Sequence, residues 1–306
     1  MFEMILVPVD GSRFAEAALP HARRLAREVP ARLRLVMAHH VLPAWNPAIG
    51  FPDGGAALEE ETRQRETRYL EALAKAVAAE SGRPVDWALL NGAPGDAIVQ
   101  DAQDSGAGLI VMATHGRGPA SRFWLGSTTD YVLRHVGVPL LAVRPPEQGE
   151  DGGRVPSIRR ILVPTDGSAL SESVVEPVAE FAHCLQATVL LLTVVEPVIG
   201  TMDPALPFPA TVDPAIADAQ RADAQARLEA LAGRLRARGL VVETRVVVAL
   251  GVGASILEVL EQEADMVAMS THGQGGLRRA LIGSVTDKVI RGAQKPVLAW
   301  RPRLVL

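Results

Sequence analysis

The most informative feature of the sequence is a tandem repeat, in which the second half of the chain repeats the first half. Residues 4–12 read Met-Ile-Leu-Val-Pro-Val-Asp-Gly-Ser and return as residues 160–168, Arg-Ile-Leu-Val-Pro-Thr-Asp-Gly-Ser, at an offset of 156. Residues 138–145 return as residues 295–302 at an offset of 157. A near-constant offset over half of the chain indicates duplication of a whole domain, not a short solenoid repeat.

The chain has 306 residues, enough for two ordinary domains, and 48% of them are hydrophobic. Each half can therefore bury a core of its own. We expect a first domain at 1–146 and a second at 158–306. The stretch 147–157 between them is rich in glycine and acidic residues and is predicted to be a linker.

Within each half, short apolar runs bounded by turn residues alternate with longer stretches of helical period, the longest near 56–81 and 214–238. This alternation predicts a parallel sheet with crossover helices. We expect strands near 4–9, 33–41, 84–90, 108–113 and 139–144, and near 160–165, 187–195, 240–249, 265–270 and 296–301. The predicted fold class is α/β, with two tandem doubly wound domains of five strands and four helices each.

The overall charge is small, with a net charge of −4. It gives no general attraction to nucleic acid or to an anionic membrane, and no stretch approaches the roughly 18 apolar residues that span a bilayer. The single cysteine, Cys184, excludes an intrachain disulfide. Since the first residues run straight into an apolar strand without a signal-peptide pattern, we expect a cytoplasmic protein.

Each copy places a Pro-x-Asp at the end of its first strand: Pro8, Val9 and Asp10, and Pro164, Thr165 and Asp166. Aspartate, or the serine two residues later, can cap the next helix by accepting hydrogen bonds from its first amides. The alternative is a ligand role, in which the carboxylate accepts hydrogen bonds from a ribose hydroxyl or an adenine amino group. The residues alone leave both interpretations open.

A glycine-rich segment follows the fourth strand of each copy. Thr-His-Gly at 114–116 precedes Gly-Ser-Thr-Thr at 126–129 by nine residues, and Thr-His-Gly at 271–273 precedes Gly-Ser-Val-Thr at 283–286 by the same spacing. A glycine lets backbone approach a ligand closely, and a Gly-Ser that opens a helix presents free amides, which suits phosphate. A serine N-cap is the alternative for either copy alone. Recurrence of the whole arrangement at two strand ends favours the phosphate interpretation.

These motifs, together with the closing Pro-(Leu/Val)-Leu-Ala-(Val/Trp)-Arg-Pro strand, resemble the universal stress protein family in its tandem two-domain form. The resemblance covers nearly all of both halves. It implies a five-stranded parallel sheet of order 3-2-1-4-5 in each half, the adenine nucleotide alpha hydrolase-like fold. In the ATP-binding branch, the pattern Gly-x2-Gly-x9-Gly-(Ser/Thr) holds the nucleotide. The implied ligand is therefore ATP, or ADP or AMP, with Mg²⁺ as a companion ion.

The resemblance also assigns nucleotide-binding positions. Asp10 and Asp166 match the aspartate that faces the adenosine part. The remaining positions in the first half are Pro8, Val9, His40, Ala113, His115, Gly116, Gly126, Ser127, Thr128 and Thr129. Those in the second half are Pro164, Thr165, Val194, Ser270, His272, Gly273, Gly283, Ser284, Val285 and Thr286.

The chain departs from the family pattern at two places. The aliphatic residue that lies along adenine matches Val194 in the second half, whereas His40 is assigned to that place in the first. The first glycine of the pattern is Ala113 in one half and Ser270 in the other. A side chain there is expected to narrow the pocket or to force a positive φ on a residue that resists it. We therefore expect the second half to be the better site.

The histidines do not indicate catalysis or a metal. His115 and His272 lack a Gly-x-Ser-x-Gly nucleophile elbow, so a positioning or phosphate-facing role is preferred to a catalytic triad. His39 and His40 are adjacent on a strand and point to opposite faces, so they cannot chelate one ion. No catalytic residue and no metal ligand is assigned.

The closing strands, at 139–144 and 296–301, are apolar edges that an isolated domain would leave unpaired. In the family such edges pair antiparallel. The resemblance therefore implies that the two closing strands pair within the chain as a pseudo-dimer. A homodimer of that unit is a further expectation.

The leading hypothesis is a stress-response protein that binds ATP or another adenine nucleotide and signals through occupancy, with little or no turnover. A nucleotide-free interaction scaffold is the alternative, motivated by Ala113, Ser270 and His40. An adenylating or nucleotide-hydrolysing enzyme would need a Ser-Gly-Gly-x-Asp-Ser loop or a His-x-Gly-His signature, and neither occurs. Slow ATP hydrolysis stays open, although no general base can be assigned.

Overall fold

The computed structural model describes residues 2–39, 54–114, 125–145, 157–197, 214–271 and 282–301. The chain divides into two compact units, Met1–Val155 and Pro156–Leu306. Five of the predicted site residues lie outside the described residues: His40, His115, Gly116, His272 and Gly273.

The first unit is a parallel sheet with helices on its crossover connections. Its strands are β1 (Met4–Pro8), β2 (Arg32–His39), β3 (Val85–Asn91), β4 (Leu109–Ala113) and β5 (Leu140–Val143). Its helices are α1 (Arg13–Glu16), α2 (Ala18–Glu28), α3 (Gly54–Ser81), α4 (Pro94–Asp104) and α5 (Ser127–His135). The strand order is β3-β2-β1-β4-β5, as expected.

The second unit repeats this arrangement. Its strands are β6 (Arg160–Pro164), β7 (Thr188–Val195), β8 (Val242–Val248), β9 (Met266–Ser270) and β10 (Val297–Trp300). Its helices are α6 (Ala169–Glu172), α7 (Val175–Leu185), α8 (Pro214–Arg236), α9 (Val252–Glu263) and α10 (Ser284–Gly292). The order β8-β7-β6-β9-β10 is again parallel throughout.

The central strands explain why this fold is doubly wound. Every residue of β1, β4 and β9 is buried, as are the three middle residues of β6. A strand that is buried on both faces needs apolar side chains in both orientations, which is why these segments read as unbroken apolar runs. The helices that join the strands therefore cover both faces of each sheet.

The two long helices bury one stripe each. Leu228, Leu231 and Leu235 of α8 are all buried, as their spacing predicts, and Leu70 and Val77 are buried on α3. The opposite faces of both helices carry charged residues. Within the described ranges, no helix is both long enough and apolar enough to cross a membrane.

The described residues hold one more helical segment per unit than the four predicted. The first helix of each unit is divided, by a break at Ala17 between α1 and α2 and by residues 173–174 between α6 and α7. Pro20 and Pro177 are each the third residue of the second segment. Proline is tolerated in the first turn, where its missing N–H has no intrahelical partner to lose, and is disfavoured in a helix interior. The two prolines therefore explain the interruption.

Candidate functional site

The predicted aspartate and the predicted glycine–serine step lie at the same edge of the sheet in each unit. β1 and β4 are parallel neighbours with Ile5 opposite Leu109, so their carboxyl ends meet at one edge. β6 and β9 are paired in the same way, with Ile161 opposite Met266. The strand order reverses at this point, which is where open α/β sheets usually bind ligands.

Asp10 forms the turn that leads from β1 to α1. Its Oδ1 accepts a hydrogen bond from the N–H of Ser12 at 2.9 Å, and Gly11 between them has φ 79°. Ser12 Oγ accepts a hydrogen bond from the N–H of Ala15 at 3.2 Å and caps α1. The serine therefore caps the helix, and the aspartate shapes the turn.

Asp166 forms the equivalent turn in the second unit. Its Oδ1 accepts from the N–H of Ser168 at 2.9 Å, and Gly167 has φ 77°. Ser168 Oγ in turn accepts from the N–H of Ser171 at 3.1 Å and caps α6. Asp166 is exposed, so the turn presents its carboxylate at the sheet edge where a ligand can reach it.

Three hydroxyl groups, those of Thr165, Ser171 and Thr193, form a cluster beneath the Asp166 turn. Thr193 Oγ1 donates to the carbonyl oxygen of Thr165 at 3.0 Å. The hydroxyl oxygens of Thr165 and Ser171 are 3.0 Å apart, and Ser171 donates to the carbonyl oxygen of Ser168 at 3.0 Å. A hydroxyl has one hydrogen to donate, so Thr165 is the donor to Ser171.

This hydroxyl cluster also accepts hydrogen bonds from the backbone of the turn. The N–H of Gly167 donates to Thr165 Oγ1 at 3.1 Å, and the N–H of Asp166 donates to Ser171 Oγ at 3.3 Å. Thr165 and Ser171 are only 7% and 8% exposed. Because the two acceptor residues are buried and bonded to each other, they hold the turn, and with it Asp166, in a defined position.

The first unit has no hydroxyl at the three equivalent positions, which are Val9, Ala15 and Met37. The equivalence follows from the backbone, because the N–H of Val9 donates to Val36 and the N–H of Thr165 donates to Leu192, both at 2.8 Å. All three apolar side chains are buried. The Asp10 turn therefore rests on apolar packing, whereas the Asp166 turn rests on hydrogen bonds.

The glycine–serine step opens a helix in each unit, as predicted. Gly126 and Gly283 are the N-cap residues of α5 and α10, with φ −58° and −59°. These glycines supply no side-chain cap, and Ser127 and Ser284 are the exposed first residues of the helices. The alternative of a serine N-cap is therefore wrong. The first amides of a helix have no intrahelical acceptor, so these hydroxyls lie beside a group of backbone donors.

Thr129 and Thr286 attach these helices to the strands that precede them. Thr129 Oγ1 donates to the carbonyl oxygen of Ala113, and Thr286 Oγ1 to that of Ser270, each at 2.9 Å. Both threonines are buried. Their hydroxyls are directed into the protein, so the structure gives them a positioning role for the helix amides.

Ala113 and Ser270 replace the first glycine of the family pattern without backbone strain. They are the last residues of β4 and β9, opposite Val143 and Trp300. Among the described residues other than glycine, Gln186 is the one with a positive φ. The expectation of a forced positive φ is therefore wrong, because both residues continue an extended strand. Their side chains can therefore affect the pocket only by occupying space that a glycine would leave open.

The register of the second strand changes one predicted correspondence. Val36 lies opposite Pro8 in the first unit, and Leu192 lies opposite Pro164 in the second. Counting two residues onward from each, the position equivalent to Val194 is Ala38. The assignment of His40 to that position is therefore corrected by the strand pairing.

Several residues around Asp166 carry no sequence signal for a site. A surface depression beside the turn is lined by Thr165, Asp166, Gly167, Glu172, Thr193, Arg227, Leu228 and Leu231. In the sequence, Glu172 and Arg227 are ordinary polar positions of helices. Glu172 reaches the site because α6 directly follows the Asp166 turn, and Arg227 reaches it because α8 follows β7 and lies against it.

His39, at the end of β2, is 1% exposed and pairs with a carboxylate of α3. Its Nδ1 lies 2.6 Å from Glu66 Oε2. The equivalent residues of the second unit are Val195 and Ala224, so the ionisable pair belongs to the first unit. In the described parts of the chain, no group of three His, Cys, Asp or Glu side chains is placed to hold a metal.

Comparison with known proteins gives one consistent family. The sequence profile described as the Universal stress protein family matches residues 1–144 and 157–301. A universal stress protein of Mycobacterium tuberculosis is 27% identical over 305 residues, covering 97% of this chain and 96% of its own length. A universal stress protein of Thermus aquaticus is 35% identical over 144 residues, 47% of this chain and 100% of its own length. The crystal structure of a universal stress protein from Archaeoglobus fulgidus superimposes with a TM-score of 0.68 at 19% identity, covering 97% of this chain and 96% of that one.

Proposed function

The chain belongs to the universal stress protein family, and we propose on the geometry of its sheet edges that each unit binds an adenine nucleotide: ATP, ADP or AMP. Occupancy, with little or no turnover, is then the signal to which the cell responds. One observation carries the proposal. In each unit, an aspartate turn and a helix N-terminus whose N-cap is glycine lie at the carboxyl ends of two adjacent strands.

The two groups suit the two ends of a nucleotide. The Asp166 carboxylate is an acceptor for ribose hydroxyls, and the first amides of α10, with the Ser284 hydroxyl beside them, are donors for phosphate oxygens. The helix dipole adds about half a positive charge at that end. A companion Mg²⁺ would take its ligands mainly from the phosphates and water, as this ion commonly does.

We expect unequal sites, with the second unit the stronger. The hydroxyl cluster holds the Asp166 turn by hydrogen bonds, whereas the Asp10 turn has apolar residues beneath it. A site that is already rigid loses less conformational entropy when the ligand binds.

Thermal unfolding and isothermal calorimetry with ATP, ADP and AMP test the proposal. A ligand that binds only the folded state raises the melting temperature, by several degrees at about 100 times Kd. Asp166→Asn should remove most of the effect while keeping the turn, because the amide oxygen still accepts from Ser168. Asp218→Asn, an exposed residue of α8, is the matched control and should behave as wild type.

The result that contradicts the proposal is equally specific. No shift with millimolar nucleotide, or an unchanged shift in the Asp10→Asn, Asp166→Asn double variant, would exclude binding at these turns. The alternative of a nucleotide-free scaffold, favoured by Ala113 and Ser270 in place of glycine, predicts no shift with any of the three nucleotides.

A further inference from the structure

Arg227 of α8 lies over the Asp166 turn. A Cβ built on Gly167 would be 3.7 Å from Arg227 Nε and 3.9 Å from its Cδ, which is van der Waals contact. Arg227 and Asp166 line the same depression, with Leu228 and Leu231 at its apolar side. The arginine side chain therefore forms one wall of the space into which the Asp166 carboxylate is presented.

The charges around this depression do not suit a phosphate. Asp166 and Glu172 line it, and Asp223 is paired with Arg227 Nη1. Arg234 pairs with Glu172 at 3.0 Å. Among the residues that the structure describes, the lining holds two carboxylates and one guanidinium group, and this excess of carboxylates disfavours an anion. A neutral group that offers hydrogen-bond donors and a flat face fits better.

The first unit carries a tyrosine at the equivalent position. Tyr69 and Arg227 each immediately precede a buried leucine of the long helix, Leu70 or Leu228. Tyr69 Oη donates to Glu16 Oε1 at 2.7 Å, and Glu16 occupies the place that Glu172 holds in the second unit. Arginine is positively charged and tyrosine is neutral, but both side chains present a flat, delocalised face. The flat face is the property that the two copies have in common.

Building on the proposed nucleotide function, we infer that Arg227 completes the base subsite of the second site by laying its guanidinium plane against the base of the bound nucleoside. Asp166 accepts hydrogen bonds from the same nucleoside, and the phosphates lie away from Arg227, toward α10. Tyr69 is the counterpart in the first unit. The depression is thus a subsite for a planar, uncharged base.

The test compares adenosine with ATP by calorimetry in an Asp10→Asn background, so that the titration reads the second site. Arg227→Ala should weaken both ligands by a similar factor, about fivefold, since stacking on the base is common to both. Arg227→Tyr, the residue of the first unit, should restore affinity to within about twofold of the parent. Arg221→Ala removes the same charge from an exposed position of the same helix and should change nothing.

Four results would overturn the inference. Loss of ATP affinity with adenosine unaffected would place Arg227 on the phosphates. Failure of tyrosine to restore binding, in a variant that melts like the parent, would show that the flat face is not the property that the ligand needs. Unchanged affinity in Arg227→Ala would remove Arg227 from the site while leaving the proposed function intact. Absence of binding to the wild-type chain would overturn the proposed function and this inference together.

Discussion

Thr165 Oγ1 lies 3.0 Å from Ser171 Oγ, a buried hydrogen bond between two residues whose counterparts in the first unit are Val9 and Ala15. Both hydroxyls also accept from the backbone of the Asp166 turn. These hydrogen bonds hold the turn in its folded conformation and thereby fix the position of the Asp166 carboxylate.

The double substitution Thr165→Val, Ser171→Ala transplants the residues of the first unit. We expect the nucleotide affinity of the second site to fall about three- to tenfold, because the turn loses the bonds that fix it. Unfolding free energy should fall by about 2 kcal/mol, because the N–H groups of Asp166 and Gly167 each lose a hydroxyl acceptor. Calorimetry and urea denaturation measure the two effects. Ser173→Ala, a hydroxyl lost outside the cluster, is the control, and equal affinities in the two variants would refute this prediction.

Thr286→Val should loosen the start of α10, because the buried carbonyl oxygen of Ser270 loses its donor. The expected cost is about 1 kcal/mol of unfolding free energy together with weaker binding of ATP. Thr286→Ser keeps the hydroxyl and should retain most of both properties. The comparison uses urea denaturation and calorimetry, and indistinguishable valine and serine variants would show that the hydroxyl does not position the helix.

His39 and Glu66 should behave as a coupled pair. Either single substitution, His39→Val or Glu66→Ala, leaves one buried or half-buried polar partner unsatisfied and should cost about 2 kcal/mol. The double variant carries the residues found in the second unit and should cost less than the sum of the singles, by about 1 kcal/mol or more. A double-mutant cycle in urea measures the coupling. Additive effects would mean that the 2.6 Å contact contributes nothing.

Burial, with a smaller contribution from the positive charge of Arg24, lowers the pKa of His21 from 6.5 to about 4. Between pH 6.5 and about pH 4, His21 binds a proton in the unfolded chain but not in the folded chain. The contribution to stability is therefore complete above pH 6.5 and is lost as the pH falls toward 4, by about 2 kcal/mol between pH 7 and pH 5.

Urea denaturation at the two pH values tests this assignment. His21→Leu should show a smaller loss of stability on acidification than wild type. His183→Gln, an exposed histidine of α7, should leave the loss unchanged. If His21→Leu loses as much stability between pH 7 and pH 5 as wild type does, His21 is not responsible for the loss.

The strands and the long helices were accessible from the sequence because they depend on local period and on a repeat, whereas the strand order was implied by the family resemblance. The apolar runs of β1 and β4 and the Leu228, Leu231 and Leu235 stripe are signals of this kind. The position of the Asp166 turn was accessible for the same reason. The expected positive φ at Ala113 was wrong because the family pattern records which residue is usual, not the backbone angle that it adopts.

The remaining parts of the site depend on contacts between distant segments. Arg227 lies 60 residues after Gly167, and nothing in the helix distinguishes it from other exposed arginines. The same holds for His39, whose partner Glu66 lies on a different element. The equivalence of Val194 with Ala38 required the pairing of β2 with β1, because a strand with several apolar residues does not define its own register.

The hydroxyl cluster also bears on how the two halves could have diverged after duplication. Exchanging Thr165 alone for valine leaves the N–H of Gly167 without its acceptor. Exchanging Ser171 alone for alanine deprives the buried Thr165 hydroxyl of its acceptor. Either exchange alone therefore leaves a polar group of the turn without its partner and is destabilising. Selection for a stable second unit thus resists the first step towards the apolar version of the turn and preserves the difference between the two copies.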